Sequence, residues 1–229
     1  MKYLVRTILL FPFLISILFC NSKQETIYVE YQKHENEREA EHGRIYFHSR
    51  DGMWLLLDRP VNQRVRMRPD QFVYYYPDDK IALIMNNRDH ALAPAFLQLF
   101  LYTDREDPGL TELGFILREH TAHGDTLIKT WELKGVKKRE YVRIDMYYHR
   151  ERVYRSVSTD ASGNVIKEVF FSDWQKGETY HYPMHVKITD EDRTQKYGFK
   201  NLHFLTQVPD SVIQLFMIPQ DCEIHEYNW

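Results

Sequence analysis

Apolar and polar residues alternate along most of the chain with a period of two, the signature of strands that bury one face. Residues 27–32, 44–48, 53–57, 64–68, 72–76 and 80–85 read as strands in the first part of the chain, with the alternation broad in 27–32 and strict in 64–68. Asp51-Gly52 is a hairpin signal between the second and third of these. Pro69-Asp70 and Pro77-Asp78-Asp79 mark further turns. Residues 115–119, 126–133, 141–147, 153–159 and 165–171 resume the pattern, the last two separated by the turn Asp160-Ala161-Ser162-Gly163-Asn164. Met184, Val186 and Ile188 then alternate with His185 and Lys187, residues 195–205 follow with a break at Gly198, and a short unit at 209–219 comes last. Eleven or more antiparallel-type segments joined by tight turns predict one meandering sheet, curled into a barrel or half-barrel.

One stretch departs from this period. Leu92, Phe96, Leu99 and Phe100 recur at i, i+4, i+7 and i+8, which is helical spacing. Pro94 suits a first helical turn. Leu97 and Leu101 make the segment apolar nearly all round, so a helix over 92–102 is expected to be buried or to cover an apolar opening.

In a curled sheet every second side chain points inward. That alternation predicts an interior lined by Phe47, Trp54, Val65, Met67, Phe72 and Tyr74 from the first strands. Ile144, Met146, Met184 and Val186 are expected to join them from the later ones. Phe96, Leu99 and Phe100 of the helix would plug the opening. Such a lining suits a ligand without hydrogen-bonding groups. Burying one CH₂ contributes about 0.8 kcal/mol, so an acyl chain of about fourteen carbons approaches ~10 kcal/mol gross before ordering costs.

The N-terminus changes the picture of where the protein works. Lys2 and Arg6 precede an uncharged apolar run from Thr7 to Phe19, and Cys20 follows. The run is short for a spanning helix, which needs roughly 20 apolar residues, and has the outline of a secretory signal peptide. Cys20 stands where a bacterial lipoprotein carries its lipidated cysteine, although Phe19 is larger than the residue usual before it. The expected organisation is a signal peptide over 1–19 and a single β-domain over 20–229. The only other cysteine is Cys222, so no disulfide framework or cysteine-based metal site is expected.

Composition narrows the chemistry. The net charge is −3, and loss of the two cations and no acids in residues 1–19 makes it −5, which argues against a nucleic-acid partner. Sixteen tyrosines and thirteen phenylalanines suit a strand-rich chain. The eleven histidines include His120 with His123 and His181 with His185, spacings that do not converge on strands or turns, so no metal is expected. Asp78-Asp79 and Asp190-Glu191-Asp192 lie in turns, where Asp is favoured for backbone reasons. Neither a nucleophile elbow nor a phosphate-cradling loop is present. No catalytic residue, no enzyme activity and no cofactor are therefore expected. Arg64, Arg66 and Arg68 share one strand face, which reads as a solvated outer face or as a contact for lipid head groups.

Several local features resemble the LolA/LolB-like outer-membrane lipoprotein-sorting family. Gly43-Arg44-Ile45-Tyr46-Phe47 followed by Arg50-Asp51-Gly52-Met53-Trp54 resembles its early strand pair. Gln71-Phe72-Val73-Tyr74-Tyr75-Tyr76-Pro77 resembles its aromatic strand, and residues 94–102 fall where its lid helices lie. Residues 160–171 resemble its later hairpin, and Phe216-Met217-Ile218-Pro219 with Ile224 its closing signature. The resemblance covers about residues 26–225. It implies a mostly β fold, a curved antiparallel sheet forming an open half-barrel with a helical lid. It implies that the protein shelters acyl chains of lipoproteins or lipids in a hydrophobic cavity, for sorting or transfer. It also implies a latch role for Arg50, since an arginine near that position holds the lid in the LolA branch. The family usually begins with a helix, whereas Thr26 here leads almost directly into a strand, which implies that part of the usual lid is missing. Together these features predict an exported, periplasmic lipoprotein anchored through Cys20, with the outer membrane as the favoured surface. The alternative is a membrane-tethered sensor or regulatory module that binds a protein partner, as in RseB-type stress regulators.

Overall fold

The computed structural model describes residues 26–35, 41–48, 52–68, 70–86, 107–108, 110–111, 114–133, 143–177, 181–190 and 193–228. Fourteen strands among them form one curved, unclosed sheet. The first six are β1 (Thr26–Glu35), β2 (His42–His48), β3 (Gly52–Arg59), β4 (Gln63–Met67), β5 (Gln71–Tyr76) and β6 (Ile81–Asn86). Seven more follow: β7 (Phe115–His123), β8 (Thr126–Leu133), β9 (Arg143–His149), β10 (Arg152–Thr159), β11 (Val165–Lys176), β12 (His181–Asp190) and β13 (Arg193–Leu205). A helix of five residues, α1 (Asp210–Gln214), and strand β14 (Glu223–Asn228) end the described chain. The fold is mostly β, as expected.

The sheet consists of two meanders joined in its middle. The spatial order is β14-β6-β5-β4-β3-β2-β1-β13-β12-β11-β10-β9-β8-β7, so β14 and β7 are its edges. β1 pairs antiparallel with both β2 and β13. Turn chemistry sets the registers locally. At Gly52 the backbone has φ +90, and an added Cβ would lie 2.0 Å from the carbonyl oxygen of Met67. Only glycine permits that approach of β3 to the end of β4. In the β10–β11 turn the Asp160 carboxylate accepts hydrogen bonds from the Ser162 and Asn164 backbone N–H groups at 2.8 and 2.9 Å.

One pairing breaks the meander. β14 runs parallel to β6, with Glu223 opposite Ile81 and Asn228 opposite Asn86. A parallel neighbour cannot be reached by a tight turn and needs a crossover. Residues 206–222 provide it, passing from the central strand β13 to the far edge. On the way α1 and its flanks lay Val208, Val212 and Phe216 against Tyr46, Trp54 and Leu56, with Tyr28 and Leu205 beside them. The last unit of the sequence is therefore a strap on the outer face.

The sheet buries both faces over β1–β3. Its other face carries the larger cluster, which gathers Val29, Ile45, Leu55 and Val65 from one half with Trp131, Met146, Val153 and Val186 from the other. Side chains from both ends of the strand order meet there, so this is the concave face. Trp54 was expected on it and lies on the outer face instead. Residues 53–57 are apolar at every position, so alternation alone does not say which set turns inward. Met53 and Leu55 take the concave side, and Trp54 and Leu56 are buried under the strap.

The helix expected over 92–102, with Phe96, Leu99 and Phe100, lies outside the described residues, as do residues 1–19, Cys20 and Arg50. The helix that is described, α1, covers the outer face and is no lid. No helix among the described residues is long and apolar enough to cross a membrane.

Candidate functional site

The concave face is organised as rows that run across the strands. In antiparallel pairs, residues directly opposite each other share a face. Phe204 of β13 stands opposite Ile27 of β1, and Ile27 opposite Phe47 of β2. Phe47 faces Met53, Met53 faces Met67, Met67 faces Phe72, and Phe72 faces Met85. Met85 ends the row against Tyr227 of β14. Eight strands thus contribute eight large apolar side chains without a charged residue among them. Seven steps of about 4.8 Å give a path of roughly 34 Å. That slightly exceeds the ~30 Å hydrocarbon thickness of a bilayer, which two acyl layers fill.

A second row lies beside the first. Val29 faces Ile45, Ile45 faces Leu55, Leu55 faces Val65, Val65 faces Tyr74, and Tyr74 faces Leu83. Its central members are closed off: Val29 is 0% exposed, Ile45 1% and Val65 2%. The first row differs, because Phe47 and Phe72 are only partly buried against the cluster. The strands therefore offer a sealed floor and, beside it, a track whose aromatic members Phe47 and Phe72 are more accessible, with Met53 and Met67 buried between them. Methionine suits such a track, since its unbranched chain repacks around irregular apolar shapes.

The sequence-predicted lining distributes accordingly. Phe47, Val65, Met67, Phe72 and Tyr74 come together on the concave face of β2, β4 and β5. Ile144, Met146, Met184 and Val186 reach the same cluster from β9 and β12. Sequence reasoning missed Met53 and Met85, which the register puts between and beyond the predicted residues. Alternation carried the signal for both, since Met53 is two residues from Leu55 and Met85 two from Leu83. It also missed Trp131 of β8, buried in the same cluster.

The concave face carries some charge beside its apolar cluster: Lys33 pairs with Glu41 at 3.2 Å, Lys129 Nζ lies 5.2 Å from the centre of the Tyr148 ring, and Lys167 stands opposite Asp190. Burial is the main cause that pushes the phenols of Tyr31, Tyr74, Tyr148 and Tyr197 above the ordinary tyrosine value, so they stay neutral at physiological pH. Tyr31 gains a further push from the Glu41 carboxylate, to which its hydroxyl donates at 3.4 Å. Tyr148 donates to Met146 Sδ at 3.6 Å, and Tyr197 to Gln195 Oε1 at 2.9 Å. Ser156 and Ser158 of β10 are buried on this side, opposite Met146 and Ile144 of β9.

The other face is charged too. Arg64 and Arg66 pair across the strands with Leu56 and Trp54, beside the strap. Arg66 donates to Gln71 Oε1 at 3.1 Å, and burial lowers its pKa from the ordinary arginine value. Arg44 meets Asp58 at 3.0 Å. His120 and His123 are exposed on the edge strand β7, and His185 Nδ1 lies 2.6 Å from an Asp173 carboxylate oxygen at the surface. Among the described residues no three His, Cys, Asp or Glu side chains converge as metal ligands.

Comparison with known proteins gives similarity of fold. No family model matches the chain, and no curated protein matches it by sequence. Among solved structures, a DUF1329 family protein from Desulfovibrio piger is similar with a TM-score of 0.57 at 15% identity, covering 83% of this chain and 90% of the other. A domain described as an outer membrane lipoprotein-sorting protein from Vibrio parahaemolyticus gives 0.55 at 14% identity, covering 83% and 89%. A LolA superfamily protein from Nitrosomonas europaea gives 0.52 at 11%, covering 84% and 90%. The open half-barrel of this chain is thus a LolA/LolB-like fold.

Proposed function

With a LolA/LolB-like fold as the premise, we propose that this protein is an exported, membrane-anchored carrier that shelters acyl chains of lipoproteins or lipids on its concave face. The observation that carries this reading is the uncharged Phe–Met row across eight strands. A catalytic site needs polar groups that converge on a reacting atom. The row offers the reverse, an extended apolar track of more than one acyl-chain length. Its solvent-facing members, Phe47 and Phe72, can exchange contact with water for contact with methylenes, which is favourable by about 0.8 kcal/mol per CH₂.

The anchor in this proposal is a lipid on Cys20, set after the apolar run of residues 7–19. It would hold the half-barrel at a membrane surface, the outer membrane by likeness to the sorting domain from Vibrio. Labelled palmitate should enter the wild-type protein and not Cys20→Ser, and equal labelling of the two would remove the anchor from the proposal.

The central test is a titration with a fluorescent fatty acid, paired with native mass spectrometry of protein purified from membranes. A saturable probe site and a co-purifying lipid of matching mass are expected. A protein that binds no probe and instead retains a stable protein partner would replace the carrier reading with the regulatory one.

A further inference from the structure

Trp131 stands apart on the concave face because of what it lacks. It sits on β8, opposite Ile144 of β9 and Leu117 of β7, and it is 4% exposed. Its indole Nε1–H is buried and has no hydrogen-bond partner. Well over nine in ten buried backbone donors, and most buried side-chain ones, are satisfied, because a donor that gives up water without replacement lowers stability. Phenylalanine would supply similar ring packing at this place without that cost. An unfilled donor facing an apolar track points to an acceptor that arrives with the ligand.

The neighbourhood defines which acceptor. Ile144 lies between Trp131 and Ser158 in the cross-strand register, so the indole and a buried hydroxyl flank one apolar side chain, about two strand spacings apart. Ser156 adds a second hydroxyl one pair along β10, opposite Met146. All three can donate, and none carries charge. Lys129, opposite Met146, lies over the Tyr148 ring, and Lys167, opposite Ser158, stands across from Asp190. A neutral carbonyl oxygen needs only the three uncharged donors.

Building on the carrier function, we propose that Trp131 Nε1–H donates to the carbonyl oxygen of an acyl ester, and that Ser158 supports the same ester group. The β8–β10 end of the concave face would then fix the ester-linked head of a lipid, while the hydrocarbon extends toward the Phe–Met row. Selection would be for ester carbonyls, as in a diacylglyceryl group, over plain hydrocarbon or ether lipid.

Dioleoylglycerol and its dialkyl ether counterpart, which lacks both carbonyls, separate these terms. Wild-type protein is expected to bind the diacyl form about tenfold more tightly, the scale of one hydrogen bond to a donor otherwise unfilled. Trp131→Phe should erase that difference by weakening the diacyl form far more than the dialkyl form. Ser158→Ala should narrow it by a few fold. In ¹⁵N spectra, the indole signal absent from Trp131→Phe should shift downfield on adding the diacyl lipid and stay in place with the dialkyl lipid, and this readout does not depend on the stability of the variant. Equal loss of both ligands in Trp131→Phe, or an indole signal indifferent to the ester, would overturn the role of Trp131 while leaving acyl binding standing. If the wild type binds neither lipid, the carrier function itself falls.

Discussion

The two faces of the first six strands can be separated by two phenylalanines. Phe216 of the strap is buried against Trp54 and Leu56, and Phe72 is partly buried on the concave track beside Met67 and Met85. Phe216→Ala should cost about 3–5 kcal/mol, the usual loss for a fully buried ring including the cavity left behind. For a domain of this size each kcal/mol lowers Tm by roughly 2–4 °C, so a fall of about 10 °C is expected. Phe72→Ala loses less, because a half-buried ring already meets water, and a fall of about 3 °C is expected. Binding should rank in the opposite order. If the Phe72 ring gives a bound acyl chain about 50 Å² of contact, its loss is worth ~1.3 kcal/mol, or close to tenfold in Kd. Phe216→Ala should leave Kd unchanged per folded molecule. The assay is a fluorescent fatty-acid titration well below both melting temperatures, with thermal melts followed by circular dichroism. Equal effects of the two substitutions on Kd would refute the assignment of binding to one face.

Other expectations follow from single residues. Gly52→Ala should lower stability by about 1–3 kcal/mol, because it combines a positive φ with a Cβ placed 2.0 Å from Met67 O, and chemical denaturation would measure it. Gly43→Val should also destabilise, since its Cβ would lie 2.6 Å from both the Leu56 carbonyl oxygen and the Tyr31 ring, and a melt no lower than wild type would show that the β2–β3 backbone and the ring both give way. The Glu30 carboxylate accepts hydrogen bonds from Tyr28 at 2.7 Å and Asn201 at 2.9 Å, which hold its pKa below the ordinary value. Its contribution is therefore present above the unfolded-state pKa and is lost as pH falls through the lowered folded value. Glu30→Gln should flatten that part of the acid unfolding profile, and an unchanged profile would exclude Glu30 as a contributor.

Much of the sheet was legible because its strands obey a period of two and its turns use residues with a backbone reason to be there. Residues 64–68 alternate cleanly, and Val65, Met67, Phe72 and Tyr74 fall on the expected face. The pattern failed where both faces are apolar. Trp54 looks like an inward residue until the strap of residues 206–222 is known, and nothing in the local sequence of β3 announces that strap. Partner choice was also hidden. Residues 223–228 alternate poorly and are exposed, and their parallel pairing with β6 depends on a segment about 140 positions earlier. The unsatisfied Trp131 donor could not be read from sequence either, because only the packed sheet shows which acceptors are missing.

The late strand β14 has a consequence for how the chain can be handled before it is complete. Strand β6 reads Ile-Ala-Leu-Ile-Met-Asn, an uncharged segment of the kind that pairs readily with copies of itself. In the finished protein its free side is covered by Glu223–Asn228, which brings two carboxylates to the rim. Any process that delivers the chain from its N-terminus, whether synthesis or export, leaves that adhesive border bare until the last described strand arrives. Delay or truncation near the C-terminus should therefore appear as self-association of an otherwise assembled sheet, before any loss of its lipid-facing surface.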